Sequence, residues 1–204
     1  MNRLTTREWM AASFLVGLVI VLVIRMGWGP GERVDTALRA TARWSFLLFW
    51  LASAGGALAT LFGSRFQALA HRARDFGLAF ASAHLAHLGV VAWLYVSGNP
   101  PTRSTLIFFG IAAIWTYVLA ILSIKRLSVR LNPRVWRTVR TLGVEYIGLA
   151  FLTDFAKLPF PGGVLGVANY LPFLALAIAG PILRLAALVK RLSQVRMLAE
   201  LPFE

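Results

Sequence analysis

Two histidines, His84 and His87, stand one helical turn apart inside the apolar run GLAFASAHLAHLGVVAWLY. Residues three apart on a helix project from the same face, so the two imidazoles leave together. Ionisable side chains are costly in hydrocarbon, about 2.5–3.5 kcal/mol for the strongly charged types on insertion scales. A neutral imidazole costs less, yet a pair on one face still marks a candidate site. The chemistry imidazole brings to a helical membrane bundle is ligation of heme or another metal, or proton relay.

Few other polar groups share that depth. Both histidines fall in a third apolar stretch, some 15–20 Å from its start at 1.5 Å per residue. A fifth stretch carries Glu145 and Asp154, nine residues apart and therefore on opposite faces. Asp154 falls at the depth of His87, so a His–Asp contact between the two stretches would compensate both buried groups. The alternative seats Asp154 at the interface beside Lys157. His71 lies in the HRARD segment and reads as a loop histidine. Trp93, Tyr95, Trp115 and Tyr117 read as interfacial or packing aromatics.

These side chains must be positioned by membrane spans. The chain is 58% hydrophobic and 14% charged, against about 25% charged in soluble domains. A span needs about 20 apolar residues, and candidates fall at about 8–28, 43–63, 75–97, 104–124, 134–158 and 165–189. Breaks at Gly29-Pro30-Gly31, Gly98-Asn99-Pro100-Pro101 and Pro159-Phe160-Pro161-Gly162-Gly163 separate them. Asn132-Pro133 has the form of an N-cap followed by proline at the first helical position. Pro172 and Pro181 interrupt the sixth run and predict kinks. The first run lacks a small-x-small cleavage pattern and reads as a retained span. The fold expected is an all-α, six-span membrane bundle forming a single domain over 1–204.

Charge gives the orientation. With the N-terminus inside, 15 of the 21 basic residues face the cytoplasm, predicting both termini there. The net charge of +13 therefore reports topology, and nucleic acid is excluded as a partner. The segment KRLSVRLNPRVWRTVR reads as a topology anchor that also attracts anionic lipid, at about 1 kcal/mol per basic residue. With no cysteine, disulfides, thiolate metal sites and iron–sulfur clusters are excluded. The small-residue run Ser53-Ala54-Gly55-Gly56-Ala57 suits close helix approach, within the bundle or between copies.

Two motifs carry a resemblance. Arg74-x-x-Gly77-Leu78-x-Phe80-x-x-Ala83-x-x-x-His87 resembles the segment that opens the third helix of the ferric-reductase-like transmembrane domain family. Leu131-x-x-x-x-Trp136-x-x-Val139-Arg140 is similar to the start of that family's fifth helix. The likeness runs over about 43–190. That family includes the heme-bearing cores of ferric reductases and NADPH oxidases, and the heme subunit of a bacterial methionine sulfoxide reductase system. It implies b-type heme held between the third and fifth helices. His87 matches the third-helix ligand. The fifth-helix ligand positions fall on Arg140 and Thr153, and that stretch contains no histidine, so a bis-histidine heme between the two helices is excluded.

The expectation that follows is a redox-associated membrane subunit in a bacterial inner membrane, with at most a single-ligand heme b on His87 and with His84 nearby. Electrons would come from a separate flavin- or molybdenum-containing partner, since the chain has no Gly-rich dinucleotide fingerprint. His84, His87 and Asp154 could alternatively hold a small metal ion. A cofactor-free membrane subunit and a proton or metal transporter are the rival readings. No catalytic residue is assigned, and the oligomeric state stays open.

Overall fold

The structure, a computed structural model, describes residues 5–29, 32–124, 127–157 and 163–199. Residues 30–31, 125–126 and 158–162, which carry parts of two expected breaks and the basic positions Lys125 and Arg126, lie outside the described residues, as does Arg3. The described chain is helical throughout: α1 (Thr6–Gly27), α2 (Arg33–Phe62), α3 (Gln67–His71), α4 (Ala73–Val96), α5 (Arg103–Ile124), α6 (Pro133–Phe155) and α7 (Gly163–Ala199). Short 3-10 turns at Gly63–Phe66 and Leu127–Arg130 lead into α3 and α6.

Local chemistry sets the helix ends. Thr5 closes a capping box with Glu8 at the start of α1, satisfying donors that a first turn leaves unpaired. Asn132 Oδ1 accepts from the Arg134 amide at 2.9 Å with Pro133 behind it, as the sequence predicts. Gly63 takes φ +79° where α2 stops, a conformation that costs a glycine little. The prolines of α7 do not end it, and the helix runs on through Pro172 and Pro181.

Among the described residues five helical stretches are long and apolar enough to cross a membrane: α1, α2 with α3, α4, α5 and most of α7. Their outer surfaces are apolar as well, with Leu22 57% and Ile114 64% exposed. Those are the length and surface of a multi-pass membrane protein. The expected fifth span, α6, is not among the five. Arg134, Arg137, Arg140, Glu145 and Asp154 make it too polar, although it buries Ile147, Ala150 and Phe155 within the same bundle.

The centre of the bundle is α2, which packs against α1, α4 and α7. It starts at Arg33, ten residues before the expected span, because Ala37, Thr41 and Ala42 turn inward. The main core is aromatic. Phe46 and Phe49 of α2 meet Phe80 of α4, Phe151 and Phe155 of α6, and Phe173 of α7 at centroid distances of 4.9–6.2 Å. The small-residue run of α2 serves an internal contact: Ala54, Gly55 and Ala57 are buried, and a Cβ on Gly55 would stand 3.2 Å from the Leu69 backbone.

Candidate functional site

His84 and His87 project from one face of α4, as their spacing requires. Their rings stack with centroids 5.3 Å apart and planes at 25°. His87 turns to α2, where its Nδ1 lies 3.0 Å from Thr41 Oγ1. The Thr41 hydroxyl sends its one proton to the Ala37 carbonyl at 2.7 Å. Its oxygen therefore accepts from an Nδ1–H of His87, an assignment that leaves Nε2 with the lone pair. His84 has Phe80 on one side and Tyr117 of α5 on the other, at ring distances of 5.7 and 6.2 Å. Its Nδ1 and the Tyr117 hydroxyl are buried and have no hydrogen-bond partner among the described residues.

Asp154 belongs elsewhere. It pairs with Lys157 at 2.6 Å, three residues on and just past the end of α6. No hydrogen bond joins His87 to Asp154 among the described residues: His87 bonds to Thr41 of α2, and Asp154 to Lys157 beyond the end of α6. Among the described residues no three of His, Cys, Asp and Glu come together as a metal-binding group, so the set His84, His87 and Asp154 is not assembled. Glu145, on the opposite face of α6 as predicted, pairs with Arg184 of α7 at 2.9 Å.

A heme between α4 and α6 can be tested against the packing. His87 has the proximal-ligand arrangement in part, since an Nδ1 hydrogen bond that leaves Nε2 open orients many ligating histidines. Beside the histidines an aromatic cluster nevertheless fills the way towards α6. Phe80 of α4 touches Phe151 of α6 at 6.0 Å. Phe151 and Phe155 stack at 6.1 Å and 12°, with Phe46 against both. A porphyrin there would displace this aromatic cluster, and α6 offers it no imidazole. The residues do not fit the group.

A second feature was not anticipated. A cavity of about 1130 Å³ lies beside the other half of α4. Pro133, Trp136, Arg137, Arg140, Thr141 and Val144 of α6 line it, a spacing of three and four that puts them on one helical face. Arg74, Gly77 and Leu78 of α4 and Thr116, Leu119, Ala120 and Ser123 of α5 form further walls by the same rule. Phe49 and Phe80 separate the cavity from the aromatic core. Gly143 keeps α5 and α6 close beside it, since a Cβ there would stand 2.9 Å from Leu119 and Trp115. His71, read as a loop residue, ends α3 at the cavity wall.

The lining is basic. Arg74, Arg137, Arg140 and Arg184 face a single carboxylate, Glu145. Arg74 donates to the Ser123 carbonyl at 2.9 Å, and Arg184 is bound to Glu145 while its Nε is buried without a partner. Arg140, which the resemblance sets at a heme-ligand position, is thus a cavity cation. The signal for this site was the stripe in α6, masked by reading its arginines as topology charges.

Comparison of the chain with protein-family models, with curated proteins and with solved structures yields no match in any of the three. The features that define its class are those of the molecule itself: a helical membrane-type bundle with a sealed aromatic centre and a basic cavity at one end.

Proposed function

We propose that this chain is a six-span protein of the bacterial inner membrane, with both termini cytoplasmic, built on a ferric-reductase-like bundle that carries no heme. It acts as a binding subunit, and electron transfer is not its task. The contact of Phe80 with Phe151 carries this reading, because it stands between His87 and the space that α4 and α6 leave at the cavity. The two motifs around His87 and Arg140 support the scaffold. The basic bias of the loops supports the orientation, and the burial of Ile147 and Phe155 supports α6 as the expected fifth span.

The test is the optical spectrum of the detergent-purified chain expressed with excess heme precursor. The expected result is no stoichiometric heme. A sharp reduced band of low-spin iron at one heme per chain would overturn the reading. Reporter fusions after Arg130 and at Asn99 test the topology, with cytoplasmic signal expected at the first and not at the second.

A further inference from the structure

Cations beside an apolar surface at the end of a membrane-type bundle attract anionic headgroups. Of the cavity arginines, Arg74 donates to a carbonyl and Arg184 pairs with Glu145. The side chains of Arg137 and Arg140, one helical turn apart on α6 and exposed along the cavity, make no ion pair or hydrogen bond among the described residues. The buried Nε of Arg184 adds a third free donor in the same lining. Guanidinium groups so placed match an oxyanion, which two forks can hold bidentately.

The rest of the cavity has a different character. Phe49, Leu78, Phe80, Leu119 and Ile147 give it a hydrocarbon wall. Its volume far exceeds what one phosphate or a few waters fill. The outer faces of the two helices that border it are lipid-like, with Ile121 and Leu142 both exposed. A cluster of cations against an apolar wall, at the end of a membrane-type bundle, is complementary to a molecule with an anionic head and an apolar tail.

We propose that this cavity binds one anionic phospholipid of the bilayer, its phosphate taken by Arg137 and Arg140 and its acyl chain laid along the Phe49–Leu78–Leu119 wall. This goes beyond the absence of heme and does not depend on it.

The full-length protein, purified in detergent, tests this by native mass spectrometry and by thermal unfolding. The probes are phosphatidylglycerol, phosphatidylcholine and inorganic phosphate. Phosphatidylglycerol is expected to be retained at one per chain and to raise the unfolding temperature, with phosphatidylcholine and inorganic phosphate much weaker. Arg137→Gln and Arg140→Gln should each weaken retention about five-fold, the equivalent of about 1 kcal/mol per cation. Arg103→Gln, at the opposite end of α5, should leave it unchanged. Equal retention of the two lipids by the wild-type chain would overturn the proposal, and that comparison stands even if a variant fails to fold. Stabilisation by inorganic phosphate equal to that by phosphatidylglycerol would overturn it in favour of a soluble oxyanion.

Discussion

Phe80 and Phe151 meet with 6.0 Å between ring centroids and 61° between ring planes, joining α4 to α6. The contact stands one helical step from each of the two features that give this protein its character. On one side Phe80 lies against His84, and on the other it walls the basic cavity. The same ring seals off the histidines and forms the inner limit of the site.

Removing that seal should be costly. Phe151→Ala deletes a ring in contact with Phe46, Phe49, Phe80 and Phe155, and should destabilise by about 3–5 kcal/mol. Leu149→Ala, at a position 49% exposed on the same helix, should cost less than about 1 kcal/mol. Denaturant unfolding in a fixed detergent measures both, and similar values would mean that the ring cluster is not the core.

The crossing of α1 and α4 makes a second prediction. A Cβ on Gly17 would stand 2.8 Å from Ala86 Cβ, and neither atom can swing away. Gly17→Ala should therefore destabilise by about 1–3 kcal/mol through overpacking. Gly110→Ala, in a helix interior with nothing within 4 Å, should be neutral or stabilising by up to about 1 kcal/mol. Thermal unfolding of the two variants side by side gives the sign of each.

The partnership of His87 can be read from a mutant cycle. Thr41→Val leaves the His87 Nδ1–H without its acceptor and should cost about 1–3 kcal/mol. His87→Phe combined with Thr41→Val should cost less than the sum of the single changes. Asp154→Asn should cost only about 0.5 kcal/mol, since its partner Lys157 is 56% exposed. An Asp154 effect as large as that of Thr41 would place the histidine's partner on α6 after all.

Trp50 provides a fourth test. Its indole N–H donates to the Leu176 carbonyl at 2.8 Å, in the stretch of α7 just before Pro181. Trp50→Phe keeps most of the ring but loses that donor, and should lower stability by about 1 kcal/mol. Proteolysis of the folded protein in detergent should become faster within α7. Unchanged cleavage there would mean that the hydrogen bond does not hold the helix in place.

Helix positions were largely legible, because apolar length and proline or glycine breaks act locally. The third span, expected at 75–97, is α4 at Ala73–Val96, and the fourth, expected at 104–124, is α5 at Arg103–Ile124. What failed depended on which face a residue shows. Arg39 and Arg43 made the segment before residue 43 read as a loop, yet Ala37 and Thr41 beside them face inward. Thr41, the actual partner of His87, was thereby excluded, and Asp154 stood as the nearest buried candidate. Likewise the arginines of α6 were counted by side of the membrane. Their spacing, at 137 and 140 with Trp136, Thr141 and Val144, was the information that placed them in one cavity.

The dependence of α2 on α7 has a consequence for how the chain is made. Trp50 donates to Leu176, Phe46 packs on Phe173, and the Thr60 and Leu61 carbonyls at the end of α2 are taken by Lys190. Each pair is separated by well over a hundred positions, so none can form while the first half is being synthesised. At about 5–20 residues per second, α2 emerges on the order of ten seconds before the helix that covers it. During that interval its aromatic face and open carbonyls must be shielded by lipid, by the insertion machinery or by an attendant chaperone. A nascent chain stalled before α7 is therefore the form of this protein most exposed to quality control, and arrival of the last helix is the event that ends its vulnerability.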